Sequence, residues 1–178
     1  SLRNGLRNSS NLLFILTNTR SMIPPLAEAT TRKICQALLA ACEIESISLH
    51  DIVIVSRGDS TLRGHAVLEP EVIHQELGKF DATLHVPAFF EGDRVTINGI
   101  HFLKGKPVHK SIFAKDKSFG YSTSDLSIWL EQKSLGRINS QSVLQLTIAM
   151  LDLALSSSYG FNKLQNWLRN LSSNQSVV

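Results

Sequence analysis

Three short apolar runs, each emptying into a polar loop that carries an arginine, constrain this chain more than any other feature. Leu12-Leu13-Phe14-Ile15-Leu16-Thr17 leads into Asn18-Thr19-Arg20-Ser21-Met22. Asp51 to Ser56, with the core Ile52-Val53-Ile54-Val55, leads into Arg57-Gly58-Asp59-Ser60-Thr61-Leu62-Arg63-Gly64-His65. Ala82-Thr83-Leu84-His85-Val86 leads into Pro87-Ala88-Phe89-Phe90-Glu91-Gly92-Asp93-Arg94. Runs this short and this apolar are the mark of strands covered on both faces. Between them lie stretches with helical spacing. Pro24 and Pro25 suit a first turn, and Ala27, Ile34, Ala37, Leu38, Ala41 and Cys42 form one stripe. After the second loop, Val72, Ile73 and Leu77 belong to a helix reaching roughly to Lys79, with Pro70 as a kink or a late start. Strand, loop, helix, repeated, predicts an α/β fold: three layers, with a mostly parallel sheet flanked by helices.

The pattern changes after Arg94. Val95 and Ile97, then Ile100 and Phe102, flank Asn98-Gly99, a strong hairpin signal, and Lys104-Gly105-Lys106-Pro107 is a second turn. A small antiparallel ribbon is expected there. Ser111 to Tyr121 is irregular, anchored by Phe113, Phe119 and Tyr121. Ser124 is suited to cap a helix carrying Leu126, Trp129 and Leu130 that stops near Gly136. Ser142 to Ile148 alternates imperfectly and reads as a strand in preference to a helix. Phe161, Leu164, Trp167, Leu168 and Leu171 give a last amphipathic helix, and Val177-Val178 reads as the first half of a strand. Both ends look cut, so residues 1–178 are expected to be one domain of a longer protein.

Composition excludes several classes. With 43% hydrophobic and 19% charged residues this is an ordinary globular chain. The net charge of +3 comes from scattered rather than clustered Lys and Arg, which argues against nucleic acid as a partner. No apolar run approaches a membrane span and nothing at the start resembles a signal peptide. Cys35 and Cys42, seven apart on a predicted helix, read as buried apolar residues rather than a disulfide or metal pair. The default setting is cytoplasmic. Paired histidine spacing, a Walker-type loop, a Rossmann glycine fingerprint and a CxxC pair are all missing from the sequence. Arg57-Gly58-Asp59 is a chance match to an adhesion tripeptide. Asp116, in a Lys-rich loop, reads as solvated, and His65 as the histidine beside the loop. His50, His74 and His109 read as surface residues.

In a parallel sheet the three loops would meet at one edge, the usual place for ligands in open α/β folds. Arg20, Arg63 and Arg94 offer planar forks matched to a carboxylate or phosphate. Asp59 can accept from ligand hydroxyls, or act as a base toward one. Ser60 and Thr61 both donate and accept, and Gly58 and Gly64 permit close backbone approach. Arg20 or Arg94 taken alone is better explained by a surface ion pair, and Asp59 alone could be a helix cap; the combination points to a small, anionic, hydroxyl-rich ligand.

Asp59-Ser60-Thr61-Leu62-Arg63-Gly64 resembles the most distinctive phrase of the four-carbon acid sugar kinase family. Thr17-Asn18-Thr19-Arg20-Ser21, Pro87-Ala88-Phe89 followed by Gly92-Asp93-Arg94, Asn98-Gly99 and Phe113-Ala114-Lys115-Asp116 are similar to further family segments in the same order. The likeness covers the stretch from residue 12 to about 137. It implies the amino-terminal, sugar-acid-binding domain of a two-domain kinase that uses ATP and Mg2+ to phosphorylate a hydroxyl of threonate, erythronate or a keto-tetronate. The family's opening strand with its D-D-x-T-G loop has no counterpart here, and Ser56-Arg57-Gly58 stands where the family often carries Lys. The nucleotide-binding carboxy-terminal domain would be the partner that brings ATP and Mg2+, and this piece alone would be inactive. By position, Arg20, Asp59, Ser60, Thr61, Arg63, Gly64 and Arg94 would line the sugar-acid pocket. Arg63, with Arg20, would clamp the substrate carboxylate, and Asp59 would be the catalytic carboxylate. A non-catalytic module binding anions or sugar acids, and an unrelated doubly wound scaffold, are the competing readings. The sequence leaves a homodimer open.

Overall fold

The computed structural model describes residues 2–8, 10–78 and 80–178. The chain is α/β and divides into two compact units, Ser1–Arg57 with Gly64–Lys79, and Gly58–Arg63 with Phe80–Val178.

The first unit is built on helices. α1 (Leu2–Leu6) packs on α2 (Pro24–Glu45), and α2 packs on α3 (Leu68–Leu77). Pro24 and Pro25 occupy the first turn of α2, where backbone N–H groups have no helical acceptor. Ala27, Thr31, Cys35, Leu38, Ala41 and Cys42 form its buried stripe, and both cysteines are free. Burial pushes the thiols of Cys35 and Cys42 above the ordinary thiol value, which suits apolar packing rather than reactivity. Arg32 pairs with Glu28 (2.9 Å) on its own helix and with Glu76 of α3. Pro70 neither kinks nor delays α3. It is the third helical residue, so its missing donor is one that a first turn leaves unbonded anyway.

Two expected strands of this unit are not ladder strands. Leu12–Thr17 and Asp51–Ser56 make no β-ladder among the described residues. Leu12, Phe14 and Leu16 are exposed, as are Val53 and Val55, while Ile52 and Ile54 are half-buried. An apolar run expresses a preference for a sheet interior, but only a neighbouring strand can supply the hydrogen bonds that make it one.

The second unit holds the sheets. β1 (Ala82–Leu84) pairs in parallel with β5 (Gln175–Val177), in the register Ala82 to Gln175 and Leu84 to Val177. Leu144 bridges β5 from a further parallel segment: its N–H donates to the Ser176 carbonyl at 3.0 Å, and the Leu144 carbonyl accepts from the Val178 N–H at 2.9 Å. The strand expected over residues 142–148 is thus confined to this short stretch. At Ile148 the chain turns into α5 (Ile148–Ser156), capped by the Thr147 hydroxyl. Helix α5 was not expected, because Ile148-Ala149-Met150-Leu151-Asp152-Leu153 is too uniformly apolar to show a period. α6 (Ser158–Arg169) follows and packs on α5 so closely that a Cβ at Gly160 would collide with the Leu153 carbonyl.

The antiparallel ribbon is where it was expected. β2 (Arg94–Ile97) and β3 (Ile100–Leu103) are joined by Asn98 (φ 50°) and Gly99 (φ 74°), both left-handed as a two-residue type I′ turn requires. β4 (Lys106–Pro107) follows through a second such turn at Lys104 and Gly105. α4 (Leu126–Lys133) is capped by Asp125, whose carboxylate accepts from Ser127 N (2.9 Å) and Ile128 N (3.2 Å). Ser124 is not the cap. It is buried, and its hydroxyl accepts from His109 N at 2.9 Å. No helix among the described residues is long and apolar enough to cross a membrane.

His85, next to β1, has a buried Nε2 without a hydrogen-bond partner, and burial pushes the ring's pKa from 6.5 down to about 4. The unfolded chain takes up this proton first, so stability is complete above pH 6.5 and falls as the pH drops toward 4. The expected loss is about 3 kcal/mol across that window. Thermal melts between pH 7 and 4 should show the decline, and His85→Leu should flatten it; an unchanged slope in that variant would refute the assignment.

Candidate functional site

Residues 58–63 form a turn in which side chains bind one another before they bind anything else. The Asp59 carboxylate accepts from Thr61 N (3.1 Å), the Thr61 hydroxyl (2.7 Å) and Arg63 Nε (2.6 Å). The pair is well covered, with the Asp59 side chain 9% and the Arg63 side chain 19% exposed. Burial opposes ionisation of Asp59, but the hydrogen bonds from Thr61 and Arg63 outweigh it and hold the carboxyl below its ordinary value. Leu62 closes the turn, its N–H on the Asp59 carbonyl at 3.0 Å. It is buried at 2% exposure and adopts φ 64°, a conformation that L residues with bulky side chains seldom take.

The irregular segment 111–121 supplies the other wall. The Phe113 ring lies under the Arg63 guanidinium, 4.7 Å from Cζ to centroid. Asp116 reaches Arg63 Nη1 at 3.6 Å while its other oxygen accepts from Ser118 N (2.9 Å) and Phe119 N (3.0 Å). The expectation of a merely solvated Asp116 is therefore corrected: its loop folds back so that it becomes the second carboxylate on Arg63. That fold-back needs Gly120, where a Cβ would lie 2.7 Å from the Asp116 carbonyl oxygen. Lys133 of α4 ties the same segment down by donating to the carbonyls of Phe119 (3.1 Å) and Gly120 (3.0 Å). The Tyr121 hydroxyl donates to the Thr61 carbonyl at 2.7 Å, and burial, with the Asp59 charge adding to it, raises its pKa to about 12.

Arg94 opens the hairpin. Its Nη1 donates to the Ser60 hydroxyl at 3.0 Å, and its guanidinium stands over Phe89 (5.2 Å) and Phe113 (5.8 Å). Its Nε is buried without a hydrogen-bond partner, and no carboxylate among the described residues pairs with it. The two cations on Phe113 therefore differ: Arg63 is matched by two carboxylates, Arg94 by a single hydroxyl.

Asp59, Ser60, Thr61, Arg63 and Arg94 are thus brought together in the second unit. Arg20 and Gly64 lie in the first unit, where Arg20 belongs to a 3-10 turn (Thr19–Ser21) and its Cγ is 3.8 Å from where a Gly64 Cβ would stand. Gly64 needs to be glycine, at φ 97°; Gly58 has open space around it and does not. His65 is also in the first unit, its Nε2 3.0 Å from the Met22 carbonyl. The histidine that touches the turn is His101, 2.8 Å from the Ser60 carbonyl. Its only signal in the sequence was a position on a predicted strand next to a turn.

Over residues 2–178 the chain matches the family model of the sugar-binding N-terminal domain. No curated protein matches it. Among solved structures, a Bordetella bronchiseptica domain of unknown function (DUF1537), determined with bound citrate as a domain-swapped dimer, is 21% identical with a TM-score of 0.63, over 92% of this chain and 35% of its own. A Haemophilus influenzae protein of the DUF1537 family model is 14% identical with a TM-score of 0.63, over 90% of this chain and 36% of its own. Identities this low show a shared fold, and the present chain spans little more than a third of either protein.

Because the Asp59–Arg63 pair is covered, breaking it should be costly. Asp59→Ala is expected to destabilise the chain by about 3 kcal/mol in urea denaturation, since it strips a buried cation of its main partner. Adding Arg63→Met should recover most of that loss. A double variant no more stable than the single one would contradict the pairing.

Proposed function

The chain belongs to the family of sugar-binding N-terminal domains, and from that premise we propose that it binds a four-carbon sugar acid, of the threonate, erythronate or keto-tetronate kind, at the cluster around Arg94. One observation carries this reading: Arg94 is a half-buried guanidinium, walled by Phe89 and Phe113, with no carboxylate paired to it among the described residues. A buried cation without a counter-charge is expensive, and an incoming carboxylate relieves that cost. Arg94 therefore replaces Arg63 as the anchor for the ligand's carboxylate. The Ser60 hydroxyl and the partly exposed Asp116 are placed to meet ligand hydroxyls. The citrate held by the Bordetella protein is itself a hydroxy acid and supports a ligand of this class.

In the complete protein the bound acid would receive a phosphoryl group from ATP. No group of three or more His, Cys, Asp or Glu among the described residues could hold a metal ion. ATP and Mg2+ are assigned to the carboxy-terminal nucleotide domain that the family resemblance implies, and the residues of this chain bind and orient. Asp59 is a poor general base in this arrangement. Its oxygens already accept three hydrogen bonds and its carboxyl is held below the ordinary value, so its part is to fix the turn and Arg63.

Calorimetric titration of the chain with threonate, erythronate and citrate should detect binding of at least one. Arg94→Ala should weaken it by about 10- to 100-fold, the worth of a charge-assisted hydrogen bond. The complete protein should release ADP when offered ATP with the acid that binds. Undiminished affinity in Arg94→Ala, or no binding of any acid, would sink the proposal.

A further inference from the structure

The side chain of His101 is fully buried, at 0% exposure, yet both ring nitrogens have polar neighbours. Nε2 is 2.8 Å from the Ser60 carbonyl oxygen and Nδ1 is 3.0 Å from the Thr96 hydroxyl. A carbonyl can only accept, so Nε2 carries a ring proton, and the Thr96 hydroxyl on the other side faces both Nδ1 and the Pro87 carbonyl, 3.2 Å away. The ring is carried by a stiff support: Thr96 and His101 are cross-strand partners of β2 and β3, and the His101 N–H donates to the Ser124 carbonyl at 2.8 Å. Burial, together with the Arg94 charge, lowers the ring's pKa and keeps it neutral.

Ser60 is the node at which this support meets the turn. Its carbonyl is held by His101 and its hydroxyl by Arg94, both from the β2–β3 hairpin. The next carbonyl, that of Thr61, is held by Tyr121. Leu62 follows at once in its left-handed conformation, which is costly for an ordinary residue and persists only where neighbours over-determine it. Two consecutive carbonyls gripped by the buried His101 and the half-buried Tyr121, from two different segments, are that over-determination.

We propose that His101 is a positioning residue of the anion site: its bond to the Ser60 carbonyl holds the 59–63 turn in the shape that places Ser60 on Arg94 and Asp59 on Arg63. Only the identity of the ligand rests on the sugar-acid reading; the positioning role stands on the hydrogen bonds. A purely space-filling His101 would be replaced equally well by any side chain of similar volume. A positioning His101 would be replaced only by one that donates from the same place.

The test compares His101→Leu, which keeps volume and loses the donor, with His101→Gln, whose amide reaches like Nε2, and with Thr96→Val, which leaves the ring but removes the hydroxyl beside Nδ1. Two quantities are read on the 178-residue chain: water exchange of the Arg63 Nε–H by NMR, and affinity for threonate by titration. His101→Leu and Thr96→Val should each speed the exchange and weaken threonate by about tenfold, the effect of one lost buried hydrogen bond. His101→Gln should return both toward wild type. Should His101→Leu fail to fold, Thr96→Val and His101→Gln decide between the roles. Wild-type exchange and affinity in a folded His101→Leu or Thr96→Val variant would overturn the proposal, and so would a His101→Gln variant with exchange as fast as in His101→Leu. If the wild-type chain binds no threonate, the sugar-acid reading falls while the exchange measurement still judges the positioning role.

Discussion

Asp59, Thr61 and Arg63 lie within five residues and bind one another, and the site of the second unit is arranged around that knot. A buried carboxylate and guanidinium contribute little as a bare pair, because desolvation offsets their attraction. They become worthwhile when the remaining donors and acceptors are also satisfied. Here the Thr61 N–H and hydroxyl serve Asp59, Asp116 approaches the far side of Arg63, and Phe113 covers its face. The knot explains why a short polar turn holds one shape even though Leu62 must sit in the left-handed region.

Charge is then divided unequally over one aromatic ring. Arg63 is consumed by internal pairing, whereas Arg94, on the same Phe113, is left with a hydroxyl. On the proposed reading, the second is the one that meets an anion from outside. Asp59 accepts from the Thr61 N–H, the Thr61 hydroxyl and Arg63 Nε, and these bonds anchor it and hold its carboxyl below the ordinary value.

Legibility differed by the kind of signal. The hairpin at Asn98-Gly99 was readable because a two-residue turn with both φ positive admits few residue pairs. Helix α2 was readable because its prolines and its stripe agree. Helix α5 was not, since a segment apolar at nearly every position shows no face. The apolar runs at 12–17 and 51–56 were read as strands, but pairing is a property of neighbours and not of the run itself. Asp59, Ser60, Thr61, Arg63 and Arg94 could be nominated because polar groups concentrated at the end of an apolar run are rare and chemically suggestive. Asp116 and His101 could not. One lies in a stretch of ordinary lysines and the other inside a strand, and both acquire meaning only from groups distant in the chain.

By itself, the order of residues determined the local vocabulary of this protein: which segments turn, which are helical, and which side chains offer charge and hydroxyls. It could do so because turn geometry, helix periodicity and side-chain chemistry act over a few neighbouring residues. Tertiary structure decided how those pieces are used. Among the described residues it placed two carboxylates on Arg63 and none on Arg94, and it brought a buried imidazole to the Ser60 carbonyl. Counter-charges and hydrogen-bond partners act through space at a few ångströms, whatever the separation along the chain, and only folding sets those distances.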